Sequence, residues 1–142
     1  MRRWMLAVAL LLAACGGGSD AGPDSVGTLR LLFDGKYGEF YDRLIPEAQA
    51  VTSRADFIAC QSNSANAVGK IGIEQTETGD GEFTKPDGTK ITARYATVKV
   101  TATGLLGSDS AIATMWWTNT DGWRLAGIDV PDDDENGCLK AA

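Results

Sequence analysis

The sequence contains no histidine, so acid–base chemistry near neutral pH would fall to carboxylates, tyrosines or lysines, and the chain also carries three cysteine thiols. Within the chain the lack of histidine excludes a Ser-His-Asp or Cys-His arrangement, a histidine metal site and an imidazole proton relay. An acid or base in a pocket would have to be a carboxylate such as Asp42 or Asp56, a hydroxyl from Tyr37, Tyr41 or Tyr95, or a lysine. Each of these carboxylates and tyrosines also has a structural interpretation, since acids cap helices and tyrosines pack in cores.

The other charged and glycine-rich stretches do not form a recognisable ligand site. The 13 basic residues are scattered among 19 acidic ones, and the formal net charge of -6 argues against nucleic acid as a partner. The acidic run 132–135 offers oxygen ligands but lacks the spacing of a calcium loop, which favours a solvated tail. The glycine stretches at Gly16 and Gly79 do not fit the Lys and Ser/Thr spacing of a phosphate loop. We therefore expect no metal and no cofactor.

Cys15 stands at the end of a segment with the pattern of an export signal. Arg2 and Arg3 are followed by an apolar run over 4–12, which is well short of the roughly 20 residues that a membrane-spanning helix needs. The order Leu-Ala-Ala-Cys then resembles the bacterial lipobox. That resemblance implies diacylglycerol transfer to the Cys15 sulfur and cleavage after Ala14. The alternative is an ordinary signal peptide followed by an incidental cysteine.

The segments implied by this pattern are a lipoprotein signal peptide over 1–14, a lipidated cysteine with a flexible linker over 15–25, and a single domain over 26–142. The linker is rich in Gly, Ser and Asp and cannot contribute to a core. We expect the domain to be held by acyl chains on the extracytoplasmic side of the cytoplasmic or outer membrane of a bacterial cell envelope.

An oxidising compartment favours a disulfide between the two remaining cysteines, Cys60 and Cys138. Such a bond would fasten the acidic C-terminal tail, including 132–136, to the domain. The alternative is a pair of free buried thiols.

Apolar residues recur at helical spacing in the first half of the domain. The pattern predicts a helix over 26–33, capped by Asp24 or Ser25, and a second short helix that begins near Phe40 and ends near Pro46. It also predicts a third helix from Ser53, with the first-turn carboxylate of Asp56 facing exposed backbone N–H groups.

After residue 64 the pattern alternates with period two, as in strands. Ile71 and Ile73 share one face, a Pro-Asp-Gly turn follows, and two further strands are joined by the loop 104–109. A tight Asp-Gly turn leads into a closing strand at 123–130. The predicted fold class is α+β, with about three N-terminal helices packed on one face of a curved antiparallel sheet of about four strands.

Trp116 and Trp117 are neighbours on a predicted strand, so their side chains should lie on opposite faces of the sheet. Met115 shares the face of Trp117, and Ile112 shares the face of Trp116. One of these two faces should pack against the helices, and the other should be the outer face. An outer tryptophan can anchor a homodimer through the sheet face. The alternative is a monomer with partly exposed aromatic residues.

The stretch 35–61, which opens "GKYGEFYDRLIP", and the closing "DGWRLAGID" resemble the nuclear transport factor 2-like superfamily over about 25–130. That superfamily includes SnoaL-like enzymes and bacterial lipoproteins with domains of unknown function. The resemblance implies a cone in which a bent sheet wraps a helix and leaves a pocket at the wide end. It also implies that the outer sheet face is a dimer surface. The sequence departs from the enzymatic members in having no histidine and no evident Asp-His or Tyr-Asp dyad.

The sequence therefore predicts a membrane-anchored, non-catalytic binding or interaction module for a small apolar ligand or a protein partner. The candidate binding residues are aromatic: Tyr37, Tyr41, Tyr95, Trp116 and Trp117. The alternative function is a pocket enzyme of SnoaL-like type that uses a carboxylate or tyrosine as acid or base.

Overall fold

The computed structural model of the chain describes residues 22–64, 69–131 and Cys138. Within these residues, helices come first and strands follow, which confirms the expected α+β order. The elements are α1 (Ser25–Phe33), α2 (Tyr37–Tyr41), α3 (Pro46–Val51), α4 (Arg54–Ser64), β1 (Lys70–Thr84), β2 (Lys90–Gly104), β3 (Gly107–Asn119) and β4 (Trp123–Asp129).

Helix α1 begins one residue earlier than predicted, at Ser25, which is buried rather than part of a linker. The cap is Asp24, whose carboxylate accepts a hydrogen bond from the backbone N–H of Gly27 at 2.8 Å. Leu29 and Leu31 are buried, whereas Phe33, which was expected on the core face, is 40% exposed at the end of the helix.

The second predicted helix is present as α2, but it begins at Tyr37 and ends at Tyr41, and the structure adds a further helix, α3 from Pro46 onward, that was not predicted. Ile45 precedes a proline and is extended (φ -65°, ψ 153°), which interrupts the helical conformation. Pro46 then begins α3, where its missing N–H costs nothing. The extended residues between the helices pair with the sheet instead: the N–H of Ile45 donates to the carbonyl of Leu125 at 2.9 Å.

Helix α4 begins after Ser53, as the sequence indicated. The Ser53 hydroxyl accepts from the backbone N–H of Asp56 at 3.1 Å and donates to the Asp56 carboxylate at 2.7 Å. These reciprocal bonds give a partner to a backbone N–H group in the first turn of the helix, where no carbonyl of the helix is available to it. Phe57 is the buried residue of this helix.

The four strands form one antiparallel sheet in the order β1-β2-β3-β4. The register shifts once between Gln75 and Glu77 and once between Trp116 and Trp117. Irregularities of this kind increase the twist and bend of a strand pair. In keeping with that bend, Phe83 of β1 contacts the ring of Trp116 across β2, at 5.6 Å between ring centroids.

The hairpin between β2 and β3 is tighter than the predicted loop over 104–109. Gly104 pairs with Gly107, so only Leu105 and Leu106 form the turn. Gly107 has φ +127°, a conformation that favours glycine. The β1–β2 and β3–β4 turns lie at the opposite end of the sheet and contain Gly88 and Gly122, which also have positive φ.

The main core lies between the helices and one face of the sheet. Its largest fully buried side chains are Phe40, Leu44, Phe57, Val98, Met115, Trp117 and Leu125. The rings of Phe40 and Phe57 are stacked with centroids 5.7 Å apart, which joins α2 to α4. Burial of side chains of this size contributes about 1.5–3 kcal/mol each.

Cys60 and Cys138 form a disulfide in the structure, so the expected pairing is present. Cys138 is buried and belongs to the main core, while Cys60 is half-buried on α4. The bond joins residues 78 positions apart and places the chain near its C-terminus against the helical layer.

Candidate functional site: an apolar groove between the helices and the sheet

An open groove of about 310 Å³ lies between the helical layer and the sheet. Helix α1 supplies one wall of the groove, and strands β2, β3 and β4 supply the other. Phe40 and Cys138 line the groove between these two walls. Its lining residues are Leu29, Leu32, Phe33, Phe40, Gln61, Val100, Ala111, Ala113, Ile128, Val130 and Cys138.

The groove exists because side chains of the sheet beneath α1 are too small to fill the space between the helical layer and the sheet. Ala111 and Ala113 on β3 oppose Val100 and Val98 on β2, and their methyl groups do not fill the space beneath α1. Phe33 and Val130 at the rim remain 40% and 38% exposed. These exposed apolar side chains leave unfilled contact area that an apolar ligand can cover.

The described lining of the groove carries no charge. Gln61 is the one polar side chain among the described residues that line it, and none of those lining residues is ionisable apart from the disulfide-bonded Cys138. A charged ligand group buried here would lose hydration without gaining an ion pair. The amide of Gln61 can donate and accept a hydrogen bond, so it can orient one polar group of a mainly apolar molecule.

A second depression, of about 350 Å³, lies near the β3–β4 turn and has a more polar wall. Asp80 and Arg94 form an ion pair there at 3.2 Å, and the Arg94 guanidinium lies 5.6 Å from the ring centroid of Trp123. Trp117 also borders it, but the indole nitrogen is buried and has no hydrogen-bond partner in the described structure. The Asp80 and Arg94 charges are already paired with each other, so they offer no free charge to a ligand.

Tyr95 and Trp116 are brought together on the other face of the sheet. Their ring centroids are 5.5 Å apart, and Phe83 covers Trp116 from β1. The indole N–H of Trp116 donates to Asp129 at 2.7 Å. The Tyr95 hydroxyl donates to Glu77 at 2.9 Å, and this hydrogen bond raises the pKa of Tyr95. The outer tryptophan is thus half-buried by its own chain rather than presented as a free anchor.

Glycines make room for this aromatic cluster, which we define as Phe83, Tyr95 and Trp116. A Cβ added to Gly79 would lie 2.7 Å from the Tyr95 ring, and one added to Gly127 would lie 2.6 Å from the Phe83 ring. The rings therefore lie directly on the backbone of the sheet. On this face Ile112 is 50% exposed, farther along β3.

The other aromatic residues predicted for binding serve the core. The buried Tyr41 hydroxyl donates to the backbone carbonyls of Gln49 at 3.0 Å and Thr52 at 2.7 Å, which fastens α2 to the end of α3. Tyr37 is half-buried against the main core, and Trp117 is fully buried. Within the described residues, none of the five aromatic residues singled out from the sequence lines the apolar groove.

The two candidate carboxylates have structural partners. Asp42 forms an exposed bidentate ion pair with Arg54, at 3.0 and 3.2 Å, and this interaction raises the pKa of Arg54. Asp56 interacts with Ser53 at the start of α4. Neither carboxylate borders the groove. Among the residues that the structure describes, no group of three or more His, Cys, Asp or Glu side chains is arranged to hold a metal ion.

Several sequence predictions lie outside the described residues. These are the signal peptide over 1–14, the lipid attachment at Cys15, most of the linker over 15–25 and the acidic run over 132–135. Over the ranges 22–64 and 69–131, the structure contains no helix of the length and apolar character required to span a membrane.

The sequence predicted a pocket for a small apolar ligand through the family resemblance, but the residues that line the groove were not among its candidate binding residues. Leu29 and Leu32 show the correct periodicity, but periodicity does not state how far a helix stands from the sheet. The available signal was the pair of alanines at Ala111 and Ala113, on a strand face that otherwise carries Met115 and Trp117.

Comparison of the chain with protein-family models, with curated proteins and with solved structures found no match.

Proposed function

We propose that this protein is a lipid-anchored, extracytoplasmic binding module that holds a small apolar ligand in the groove between α1 and the sheet. The observation that carries the proposal is the lining of the groove, in which Gln61 is the single polar side chain among the described residues. An acyl or other hydrocarbon chain with one hydrogen-bonding group fits this chemistry. A protein partner at the same surface is the second candidate occupant.

The anchoring part of the proposal depends on Cys15 and on the compartment that a lipoprotein reaches. The Leu-Ala-Ala-Cys order supplies the lipid acceptor, and the Cys60–Cys138 disulfide is consistent with an oxidising compartment. Such a compartment lies on the extracytoplasmic side of a bacterial membrane.

Within the α+β class, we propose that the domain has the cone-shaped fold of the nuclear transport factor 2-like superfamily. Support comes from the N-terminal helices, the antiparallel sheet with two register shifts, and the groove at the point where helix and sheet diverge. In that arrangement the groove corresponds to the pocket at the wide end of the cone.

The alternative, a SnoaL-like pocket enzyme, requires a titratable group in the pocket. The contacts of Asp42, Asp56 and Tyr41 favour structural roles for these residues, because their polar atoms already bind Arg54, Ser53 and backbone carbonyls. The neutral lining of the groove favours binding over acid–base chemistry.

Filling the groove is expected to weaken apolar binding. The probe is phenylnaphthylamine, a neutral amine whose fluorescence rises in apolar surroundings. Ala111 lines the groove and is exposed, so Ala111→Phe adds a ring there with little effect on the core. Loss of burial equivalent to two methylene groups of the probe, at about 0.8 kcal/mol each, corresponds to roughly a tenfold rise in Kd.

Ile112→Phe is the matched control, because the next residue on β3 faces the opposite side of the sheet and does not line the groove. The Kd of the control should equal that of the wild type. Absence of probe binding by the wild type, or equal weakening in both variants, would contradict ligand binding in the groove.

Lipidation is expected only at Cys15. Mass spectrometry of protein extracted from bacterial membranes should find a diacylated N-terminus at Cys15 in the wild type and none in Cys15→Ser, because serine lacks the acceptor sulfur. Abundant non-membrane wild-type protein that retains Met1 would show that the anchor is wrong.

A further inference from the structure

The turn between β2 and β3 exposes two leucines completely. Leu105 and Leu106 have 106% and 105% of their reference exposure, so neither contacts the rest of the chain appreciably. Two-residue hairpin turns usually carry Asn, Asp or Gly, whose conformations suit the turn. Leucine gains nothing here from the described fold, and adjacent exposed leucines favour aggregation in water. We call Leu105 and Leu106 the leucine tip.

The tip projects well beyond the groove. Val100 and Ala111, which line the groove, form one pair of the β2–β3 ladder, and Gly104 and Gly107 form the last pair four residues farther on. At about 3.4 Å per residue, the tip lies roughly 17 Å beyond the groove. A narrow projecting end of this kind penetrates a deformable surface more readily than it fills a preformed protein pocket.

The charges near the tip also suit a lipid surface. Residues 100–108 carry no charged side chain, so insertion would not require an ion to be desolvated. By register, the nearest ionisable groups are Asp109, opposite Ala102, and Lys70, opposite Thr103. The exposed Lys70 can contact an anionic headgroup and offsets the charge of Asp109.

The position of Cys15 also favours a lipid bilayer as the surface that the leucine tip contacts. Ser25, the first residue of α1, lies only 10 positions after Cys15. Even fully extended, such a segment spans at most about 36 Å. A domain tethered at Cys15 thus stays within reach of the bilayer, and an apolar contact in addition to the diacylglycerol would fix its orientation.

We infer that the leucine tip inserts into the interfacial region of a lipid bilayer and orients the domain with the β2–β3 turn toward the membrane. The orientation rests on the anchoring part of the proposed function, whereas the affinity of the tip for lipid does not. It places the mouth of the groove within about 20 Å of the bilayer surface.

Depth-dependent quenching of a tryptophan placed at the tip tests this inference. Leu106→Trp and the control Asp121→Trp, in the β3–β4 turn at the far end of the sheet, are made in the full chain. Each variant is mixed with phosphatidylcholine–phosphatidylglycerol vesicles whose acyl chains are brominated. The difference from the parent chain removes the signal of the native tryptophans. We expect quenching at position 106 and none at position 121.

A second variant measures affinity. Leu105→Ser/Leu106→Ser in the full chain should lower the vesicle partition coefficient by about a hundredfold if both side chains are fully inserted, at about tenfold per leucine. Because both positions are exposed, the variant should keep the wild-type melting temperature.

The outcomes separate this inference from the proposed function. No quenching at position 106 overturns the leucine tip, whether or not mass spectrometry finds lipid on Cys15. A vesicle-independent blue shift at position 106 that grows with protein concentration also overturns it and assigns the tip to a second copy of the chain. Quenching at position 106 in a Cys15→Ser background supports the tip even if the anchor fails.

Discussion

Removal of the Cys60–Cys138 disulfide is expected to lower the free energy of unfolding by about 4 kcal/mol. The bond spans 78 residues, and cross-linking a loop of that length restricts the unfolded chain by roughly 4–5 kcal/mol on chain-entropy grounds. Denaturant unfolding of the Cys60→Ser/Cys138→Ser variant should show this loss as a lower midpoint.

The same bond is also expected to support the groove, because Cys138 is one of its lining residues. Phenylnaphthylamine should bind the double-serine variant more weakly than it binds the wild type. Adding a reductant to the wild type should reproduce both effects, while the double-serine variant should not respond to it. An unchanged unfolding midpoint, or two titratable thiols in folded exported protein, would contradict a structural disulfide.

Truncation of Phe57 is expected to lower the free energy of unfolding by about as much as removal of the disulfide. Phe57 is the buried residue of α4, and its ring packs on Phe40 and Tyr41 with centroid distances of 5.7 Å in both cases. Phe57→Ala should destabilise the domain by about 3–5 kcal/mol, since it removes a ring and leaves a cavity that close packing cannot collapse. Thermal and denaturant unfolding measure the loss.

Ala59→Ser in the same helix is the matched control, because Ala59 is exposed. Its effect should stay within about 0.5 kcal/mol. Phe57→Leu should lie between the control and Phe57→Ala, since it retains most of the apolar volume. A loss below about 1 kcal/mol for Phe57→Ala would mean that α4 is held mainly by the disulfide.

The local elements followed from residue patterns because their causes are local. Asp24 and Ser53 mark helix starts through hydrogen bonds to N–H groups within three residues. The alternation 113–117 on β3 separates Trp116 from Trp117, as a period of two requires. The pairing of Cys60 with Cys138 followed because no other cysteine apart from the proposed lipid acceptor remained.

The predicted end of the second helix and the predicted length of the β2–β3 loop differ from the structure because both depend on pairing with segments distant in the sequence. Ile45 lies in a run with helical periodicity, yet Pro46 disfavours a helical Ile45, and pairing with Leu125 of β4 satisfies its backbone. The turn at 105–106 was predicted as a longer loop because Leu-Leu is not a familiar hairpin turn. Its length is determined by the register of β2 against β3, in which Gly104 faces Gly107.

The sequence by itself determined the absence of histidine chemistry, and it predicted the helix-then-strand order, the pairing of Cys60 with Cys138 and an export signal that ends at Cys15. Each of these depends on residue type or on short-range spacing. Only the tertiary structure decided that Trp116 is covered by Phe83, that Tyr41 binds backbone carbonyls, and that a groove remains open beneath α1. Those outcomes depend on the separation of helix and sheet and on the bend of the sheet, which arise from summed side-chain volumes across many strands rather than from any local pattern.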